Sequence, residues 1–143
     1  MLSQSDRSAL TGVRILVVDD DEDIRDVTAS LLSACGAEVD SVDCSESARE
    51  CLHVRRYDVL VSDISMPGED GFALMRWLRA SGGINAAIRA AAVTARVSER
   101  DLAEARASGF DTFVAKPFAV ETLFAEVRAL TSSRHRQRRR AAL

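Results

Sequence analysis

The sequence predicts an α/β protein in which a five-stranded parallel sheet carries five helices packed on both of its faces. Two observations indicate this doubly wound class. Five short apolar segments alternate with five segments whose apolar residues recur at three- and four-residue spacing, as expected of repeated strand–helix units. The first and third strand segments are apolar at nearly every position rather than at every second one, so both faces of the sheet are expected to be covered.

The five predicted strands lie at regular intervals and are bounded by residues that favour turns. The alanines at positions 90–92 favour a helix by propensity, yet the alternation of units requires a strand there. Two strands end directly before aspartates, at Asp19 and Asp63, and Pro67 and Gly68 break the chain after the second. In chain order the strands are 13–18, 38–42, 57–62, 88–93 and 111–115.

The predicted helices carry start and stop signals. Acidic residues fill the first turn of the first helix, where they complement the helix dipole, and Gly36 ends that helix. Ser45 and Ser98 are predicted N-caps of the second and fourth helices, and Gly109 follows the fourth. In chain order the helices are 24–34, 45–54, 72–80, 98–108 and 120–130.

The 143 residues are enough for one domain, predicted at 12–131 between a flexible N-terminal arm, 1–11, and a basic C-terminal tail, 132–143. Without the five arginines of the last ten residues, the net charge of −3 becomes −8, which argues against direct nucleic-acid binding by the folded part. We interpret the tail as a solvated end or linker, with a docking patch for an acidic partner or membrane surface as the alternative.

No apolar run is long enough to span a bilayer and no signal-peptide layout is present, so we expect a cytoplasmic protein.

Carboxylates follow the ends of the first and third strands. In one of the two strand orders common for such sheets, 2-1-3-4-5, these strands are neighbours, and Asp19 and Asp20 then lie beside Asp63 in one crevice. Three carboxylates in a cleft repel one another unless a cation lies among them. Mg²⁺ favours such oxygen ligands, together with water and a phosphate oxygen. The pattern therefore predicts a Mg²⁺ site.

Two further polar residues, Thr94 and Lys116, follow the fourth and fifth strands. A hydroxyl and an ammonium group both suit an anionic ligand. Lys116 is the only lysine among the 19 basic residues of the chain, and all the others are arginine. A lysine in such a chain indicates a position that needs a compact charge on a flexible stem rather than a planar guanidinium.

Four motifs in this order and spacing resemble those of the receiver domain of bacterial two-component response regulators, such as the chemotaxis response regulator. They are VVDDDEDIR, VSDISMPGEDGF, VTA and KPF, and the resemblance extends from Val13 to Thr131. The resemblance implies the flavodoxin-like strand order 2-1-3-4-5. It also implies a phosphoacceptor domain of a phosphorelay that catalyses only its own aspartyl phosphorylation and dephosphorylation.

The resemblance implies a role for each matching acidic residue. Asp63 is the phosphoacceptor, and Asp20 and Asp63 bind Mg²⁺ directly, together with the backbone carbonyl of Ser65. Asp19 acts on the metal through a bound water. Ser65 and Arg96 occupy positions that vary within the family and flank the path of the water that hydrolyses the aspartyl phosphate.

The same resemblance implies a switch. Thr94 and Lys116 contact the phosphoryl oxygens, and the Lys116–Pro117 peptide bond is expected to be cis. Phe113 stands where many relatives carry tyrosine, so a switch through Thr94 and Phe113 runs on packing alone. Expected partners are a histidine kinase or histidine phosphotransfer protein and a downstream protein that contacts the fourth helix, fifth strand and fifth helix. A dimer that forms on phosphorylation is a further expected partner interaction.

Other interpretations fit parts of the sequence. The strand end at Asp19 and Asp21 resembles the DxD signature of haloacid dehalogenase-type phosphatases, but Asp23 stands where that signature wants threonine or valine. In a flavodoxin-like flavin-binding protein the carboxylates would repel the flavin phosphate. Within the receiver interpretation, the start at Met1 favours a free-standing response regulator. The alternative is a receiver module of a hybrid histidine kinase, which the opening LTGVRILVVDDDEDIR also resembles.

Overall fold

The computed structural model describes residues 2–132 and shows the predicted alternation of strands and helices, with ends within two residues of the predicted ones. The strands are β1 (Arg14–Val18), β2 (Glu38–Val42), β3 (Val59–Ser62), β4 (Arg89–Thr94) and β5 (Thr112–Ala115). The helices are α1 (Glu22–Ala34), α2 (Ser45–Val54), α3 (Gly71–Ala80), α4 (Glu99–Ser108) and α5 (Val120–Leu130). Within the described residues, no helix has both the length and the apolar composition needed to cross a bilayer.

All five strands are parallel and form one sheet in the order β2-β1-β3-β4-β5, which confirms the predicted fold class and strand order. Successive strand residues point to opposite faces. Val17 and Val61 pack in the apolar cluster under α1 and α5, whereas Val18 and Leu60 pack in the cluster under α2, α3 and α4. Both faces of the central strands are therefore buried, which explains their continuous apolar sequence.

Strand β4 shows tertiary context overriding propensity. Ala90, Ala91 and Ala92 are fully buried, and β4 pairs with β3 on one side and β5 on the other. Pairing on both edges satisfies the backbone hydrogen-bonding groups, and the small side chains fit beneath the helices on either face. The strand predicted here from the alternation of units is confirmed, against the helix propensity of alanine.

Part of the segment predicted as a flexible arm, 1–11, packs on the domain. It contains one turn of 3₁₀ helix, Asp6–Ser8. Leu10 is fully buried in the cluster under α1 and α5, and its amide donates to the Cys35 carbonyl over 2.9 Å. This apolar anchor fixes the chain before β1. The predicted basic tail, 132–143, lies outside the described residues from position 133 onward.

Helix capping follows the prediction at α4 but not at α2. The Ser98 hydroxyl accepts from the Asp101 amide at 3.1 Å, as expected of an N-cap. The prediction that Ser45 caps α2 is wrong, because Cys44 takes the cap position and makes no side-chain capping bond. Ser45 is instead the first helical residue, and its hydroxyl donates to the carboxylate of Glu69 in the loop between β3 and α3.

Gly71 begins α3 where that helix passes close to the end of β3. A β-carbon there would lie 2.4 Å from the Asp63 carbonyl oxygen and 2.8 Å from the Ile64 α-carbon. Because these are backbone atoms, Gly71→Ala should lower the free energy of unfolding by about 2 kcal/mol, as measured in urea. Gly83→Ala is the control, since its added carbon meets only the Ser81 hydroxyl at 3.6 Å. Equal stabilities of the two variants would contradict the close approach.

Candidate functional site

The carboxyl ends of the parallel strands lie at one edge of the sheet, and backbone hydrogen bonds align the polar residues that follow them. The Asp63 amide donates to the Val18 carbonyl at 2.8 Å, which holds Asp63 beside the end of β1. The Lys116 amide donates to the Thr94 carbonyl at 2.9 Å, which joins the ends of β4 and β5. The sheet therefore brings together side chains that are far apart in sequence.

Three carboxylates converge at this edge, as the sequence predicts. Asp19 and Asp63 are 3% and 6% exposed, whereas Asp20 is exposed to solvent. One oxygen of each carboxylate lies within 4.8 Å of the others. The two buried carboxylates come close together only because β1 and β3 are adjacent in the sheet.

Lys116 lies between the two buried carboxylates. Its ammonium nitrogen donates to Asp19 Oδ2 at 2.8 Å and to Asp63 Oδ2 at 2.9 Å. Burial alone would lower the pKa of Lys116, but its bonds to the two carboxylates outweigh that effect and raise it. The single lysine of the sequence is therefore a permanent cation at the centre of the acidic cluster.

The carboxylate of Asp63 is held on both oxygens. Oδ1 accepts from the backbone amides of Ile64 at 2.7 Å and Ser65 at 3.3 Å, while Oδ2 accepts from Lys116. Burial raises the pKa of Asp63, the bonds from Lys116 offset part of that rise, and the negative charge of Asp19 adds to it. Asp63 is thus oriented by its neighbours but costs free energy to keep charged.

Thr94, at the end of β4, is fully buried beside the cluster. Its hydroxyl oxygen accepts from the Arg96 amide at 3.0 Å, so its own proton remains available for donation to another acceptor. The Arg96 guanidinium is engaged elsewhere: it donates to Asp101 at 3.1 Å and lies 5.1 Å from the centroid of the Phe72 ring.

Phe113 lies on β5, three residues before Lys116, and is half-buried. Its ring packs against the cluster under α2, α3 and α4, and the Arg106 guanidinium of α4 lies 5.0 Å from the ring centroid. The Lys116–Pro117 peptide bond is cis, as the family resemblance implies. The ends of β4 and β5 thus connect the acidic cluster to α4.

Several contacts around the cluster are not predicted from the sequence. The Asp21 amide donates to Asp19 Oδ1 and the Arg25 guanidinium donates to the Asp19 carbonyl, each at 2.9 Å. The short Asp-x-Asp spacing is a signal that could have indicated the first contact. Glu69 is also hydrogen-bonded to Arg49, 20 positions away, and no local pattern indicates that pair.

The donor set fits Mg²⁺. Mg²⁺ takes oxygen ligands and is usually held by one or two carboxylates with several waters. Within residues 2–132, the cluster of Asp19, Asp20 and Asp63 is the one group of three or more acidic, thiol or imidazole side chains that converges closely enough to hold a metal ion. Two members are buried and Asp20 is exposed, so the cluster opens to water on one side.

A parallel sheet of order 2-1-3-4-5, with an acidic cluster and a lysine at its carboxyl edge, defines a receiver-type signalling domain. Residues 15–128 match the response regulator receiver domain model, and the chain belongs to that family. Membership identifies the chain as a receiver domain of two-component response regulators, and it decides against the phosphatase and flavin-binding interpretations.

Individual response regulators of known sequence or structure are also similar to this chain. The chain is 34% identical to the transcriptional regulatory protein GltR of Pseudomonas aeruginosa over 83% of its length, and 38% identical to the response regulator MprA of Mycobacterium ulcerans over 82%. Those matches cover 49% and 50% of the relatives, so the chain spans about half of their length. The chemotaxis response regulator CheY4 of Vibrio cholerae superposes with a TM-score of 0.79 at 28% identity, over 84% of this chain and 99% of that one.

The raised pKa of Asp63 predicts a stability that depends on pH. The folded state therefore binds the Asp63 proton more readily than the unfolded chain does. The free-energy cost of charging the buried carboxylate is absent below the unfolded-state pKa and fully present above the folded-state pKa. In chelator, Asp63→Asn should raise the free energy of unfolding at neutral pH, and the gain should disappear as the pH falls through these values. Urea unfolding at neutral pH and at about pH 4 measures both effects.

Asp26→Asn, at an exposed position of α1, is the control for loss of one negative charge. If Asp63→Asn is less stable than the wild type at neutral pH, the buried carboxylate stabilises the fold and the conclusion that its charge costs free energy is wrong.

Proposed function

We propose that this chain is the phosphoacceptor of a two-component phosphorelay and that Asp63 accepts the phosphoryl group from a phosphohistidine on a histidine kinase or histidine phosphotransfer protein. The observation that carries this proposal is the buried Asp63 carboxylate, 2.9 Å from the only lysine and beside two further carboxylates at the carboxyl edge of the sheet. Membership in the receiver family supports it.

The geometry suits phosphoryl transfer. An oxygen of Asp63 attacks phosphorus, a new O–P bond forms as the P–N bond of the donor breaks, and the imidazole leaves with the electron pair. The step needs positioning and compensation of the charge on the three equatorial oxygens. Lys116 supplies an ammonium group already beside Asp63, and Thr94 supplies a hydroxyl proton that its bond from Arg96 leaves free.

We propose that Asp20, Asp63 and the backbone carbonyl of Ser65 would bind Mg²⁺ directly. Asp19 would act on the metal through a bound water. When bound, Mg²⁺ supplies positive charge that keeps Asp63 ionised and offsets charge on the phosphoryl oxygens. The contacts of the two neighbouring aspartates support this division. Asp19 already accepts from Lys116 and from the Asp21 amide, whereas Asp20 is exposed at the mouth of the cluster.

Acetyl phosphate tests the assignment without a partner protein. It should transfer one phosphoryl group to Asp63, with acetate as the leaving group, when Mg²⁺ is present and not when the metal is chelated. Intact-mass measurement should show one added phosphoryl group on the wild type and on the Asp26→Asn control, and none on Asp63→Asn. Undiminished labelling of Asp63→Asn would refute the proposal.

We propose that the chain acts as a free-standing single-domain regulator that signals through protein contact. The match covers 99% of the CheY4 chain, so a response regulator of receiver-domain length is known among the neighbours. The alternative is a receiver module of a longer protein such as a hybrid histidine kinase, which the half-length coverage of the curated relatives supports. The mass of the protein in its native cells distinguishes the two.

The proposed output is a change in the α4-β5-α5 surface. A phosphoryl group on Asp63 offers the Thr94 hydroxyl an anionic acceptor, and movement of Thr94 toward it vacates space at the end of β4. Phe113 is half-buried on the neighbouring strand, so its ring can turn into that space. Its present contact with Arg106 would then be lost, which links the movement to α4.

Thr94→Ala should still accept phosphate or beryllofluoride but should show much smaller NMR shift changes at Phe113 and α4 than the wild type. The reason is that one charge-assisted hydrogen bond, worth roughly 1.5–3 kcal/mol, is the differential interaction that favours the active state. Thr94→Ser keeps the hydroxyl and should retain most of the change. Equal shifts in Thr94→Ala and the wild type would show that Thr94 does not couple the site to this surface.

A further inference from the structure

The loop between β3 and α3, residues 63–70, carries Ser65, whose carbonyl is assigned above to Mg²⁺. Met66 anchors the loop in the apolar cluster under α2, α3 and α4, but Pro67 and Gly68 at its tip are exposed. An open hollow of about 490 Å³ lies between this tip and the first turns of α2. Apolar packing therefore does not fix the tip against α2, and its position depends on contacts that cross the hollow.

Glu69 makes those contacts. Its carboxylate accepts hydrogen bonds from the Ser45 hydroxyl and from two nitrogens of the Arg49 guanidinium, with Arg49 Nε 3.0 Å from Glu69 Oε2. Ser45 is 2% exposed in the first turn of α2, so this partner of Glu69 is packed within the fold. A guanidinium that engages both carboxylate oxygens fixes direction as well as distance, which a single-point ion pair does not.

Arg49 is itself held in place by α3. Its guanidinium lies 4.9 Å from the centroid of the Trp77 ring, within the range of a cation–π contact. The contacts therefore run from α3 through Arg49 to Glu69, four residues after Ser65. A partly exposed ion pair adds little to global stability. Its remaining consequence is geometric, because it restricts where the loop tip can lie.

We propose that Glu69 and Arg49 are positioning residues for Mg²⁺ and that they act by holding the loop that presents Ser65. The inference rests on the proposed Mg²⁺ site but goes beyond it, because neither side chain is assigned as a ligand. Partners that touch a metal ligand directly contribute about 10- to 100-fold to affinity. Glu69 and Arg49 act through four residues of backbone, so we expect about a three- to tenfold loss of Mg²⁺ affinity when either is replaced.

Three substitutions separate positioning from simple charge. Glu69→Gln removes a negative charge near the cluster, so both explanations predict weaker Mg²⁺ binding. Arg49→Gln removes a positive charge, so electrostatics alone predicts tighter binding, whereas loss of positioning predicts weaker binding. Arg49→Lys keeps the charge but loses the planar fork, and only positioning predicts a loss. Glu46→Gln is the matched control, because exposed Glu46 lines the same hollow.

Mg²⁺ titration followed by the backbone amide shifts of Asp20, Asp63 and Ser65 gives the affinity of each variant. Weaker binding by Glu69→Gln, Arg49→Gln and Arg49→Lys, with Glu46→Gln near the wild type, supports the proposal. Tighter binding by Arg49→Gln, or unchanged affinity in Arg49→Lys and Glu69→Gln, overturns it while the Mg²⁺ site stands. Absence of Mg²⁺-dependent shifts in the wild type overturns the site as well.

Thermal unfolding in chelator shows whether the variants keep their fold. We expect melting temperatures close to that of the wild type, since both side chains are partly exposed. If Arg49→Gln does not fold, the affinities of Arg49→Lys and Glu69→Gln decide the proposal by the same criteria.

Discussion

The ammonium group of Lys116 lies 2.8 Å from one buried carboxylate, Asp19, and 2.9 Å from another, Asp63, and the polar site at the carboxyl edge of the sheet is arranged around this contact. A buried carboxylate costs several kcal/mol unless a cation or several donors compensate it. The compensating lysine is 97 positions from Asp19 in the chain. The fold must therefore bring the end of β5 to the end of β1, and parallel strands that share one carboxyl edge achieve this.

The strand order makes the acidic cluster possible. Placing β1 next to β3 sets Asp19 and Asp63 side by side, while β4 and β5 add Thr94 and Lys116 on the other flank of Asp63. The central strands are covered by helices on both faces, which keeps water from the strands but leaves their carboxyl ends open. The apolar core thus carries a polar site at the carboxyl edge of its strands, outside the packed interior.

Two loops that border the site are held in the same way. In the β3–α3 loop, Glu69 pairs with Arg49, whose guanidinium lies over the Trp77 ring. In the loop after β4, Arg96 pairs with Asp101, and its guanidinium lies over the Phe72 ring. Trp77 and Phe72 are both on α3, so one helix supports both loops. A planar guanidinium can bond a carboxylate and stack on a ring at once, which an ammonium cannot do equally well. This explains arginine at the borders of the site and lysine at its centre.

The sequence by itself determined the class of fold, the element boundaries to within two residues and the polar residues that follow each strand, because hydrophobic periodicity and turn chemistry are local properties of the chain. The receiver motifs added the strand order and the cis peptide bond at Lys116, and the structure shows both. Only the tertiary structure decided which groups pair. It put Leu10 in the core and directed the Ser45 hydroxyl to Glu69 instead of the α2 cap. These outcomes depend on surfaces contributed by distant segments, and a local pattern carries no information about which distant surface it will meet.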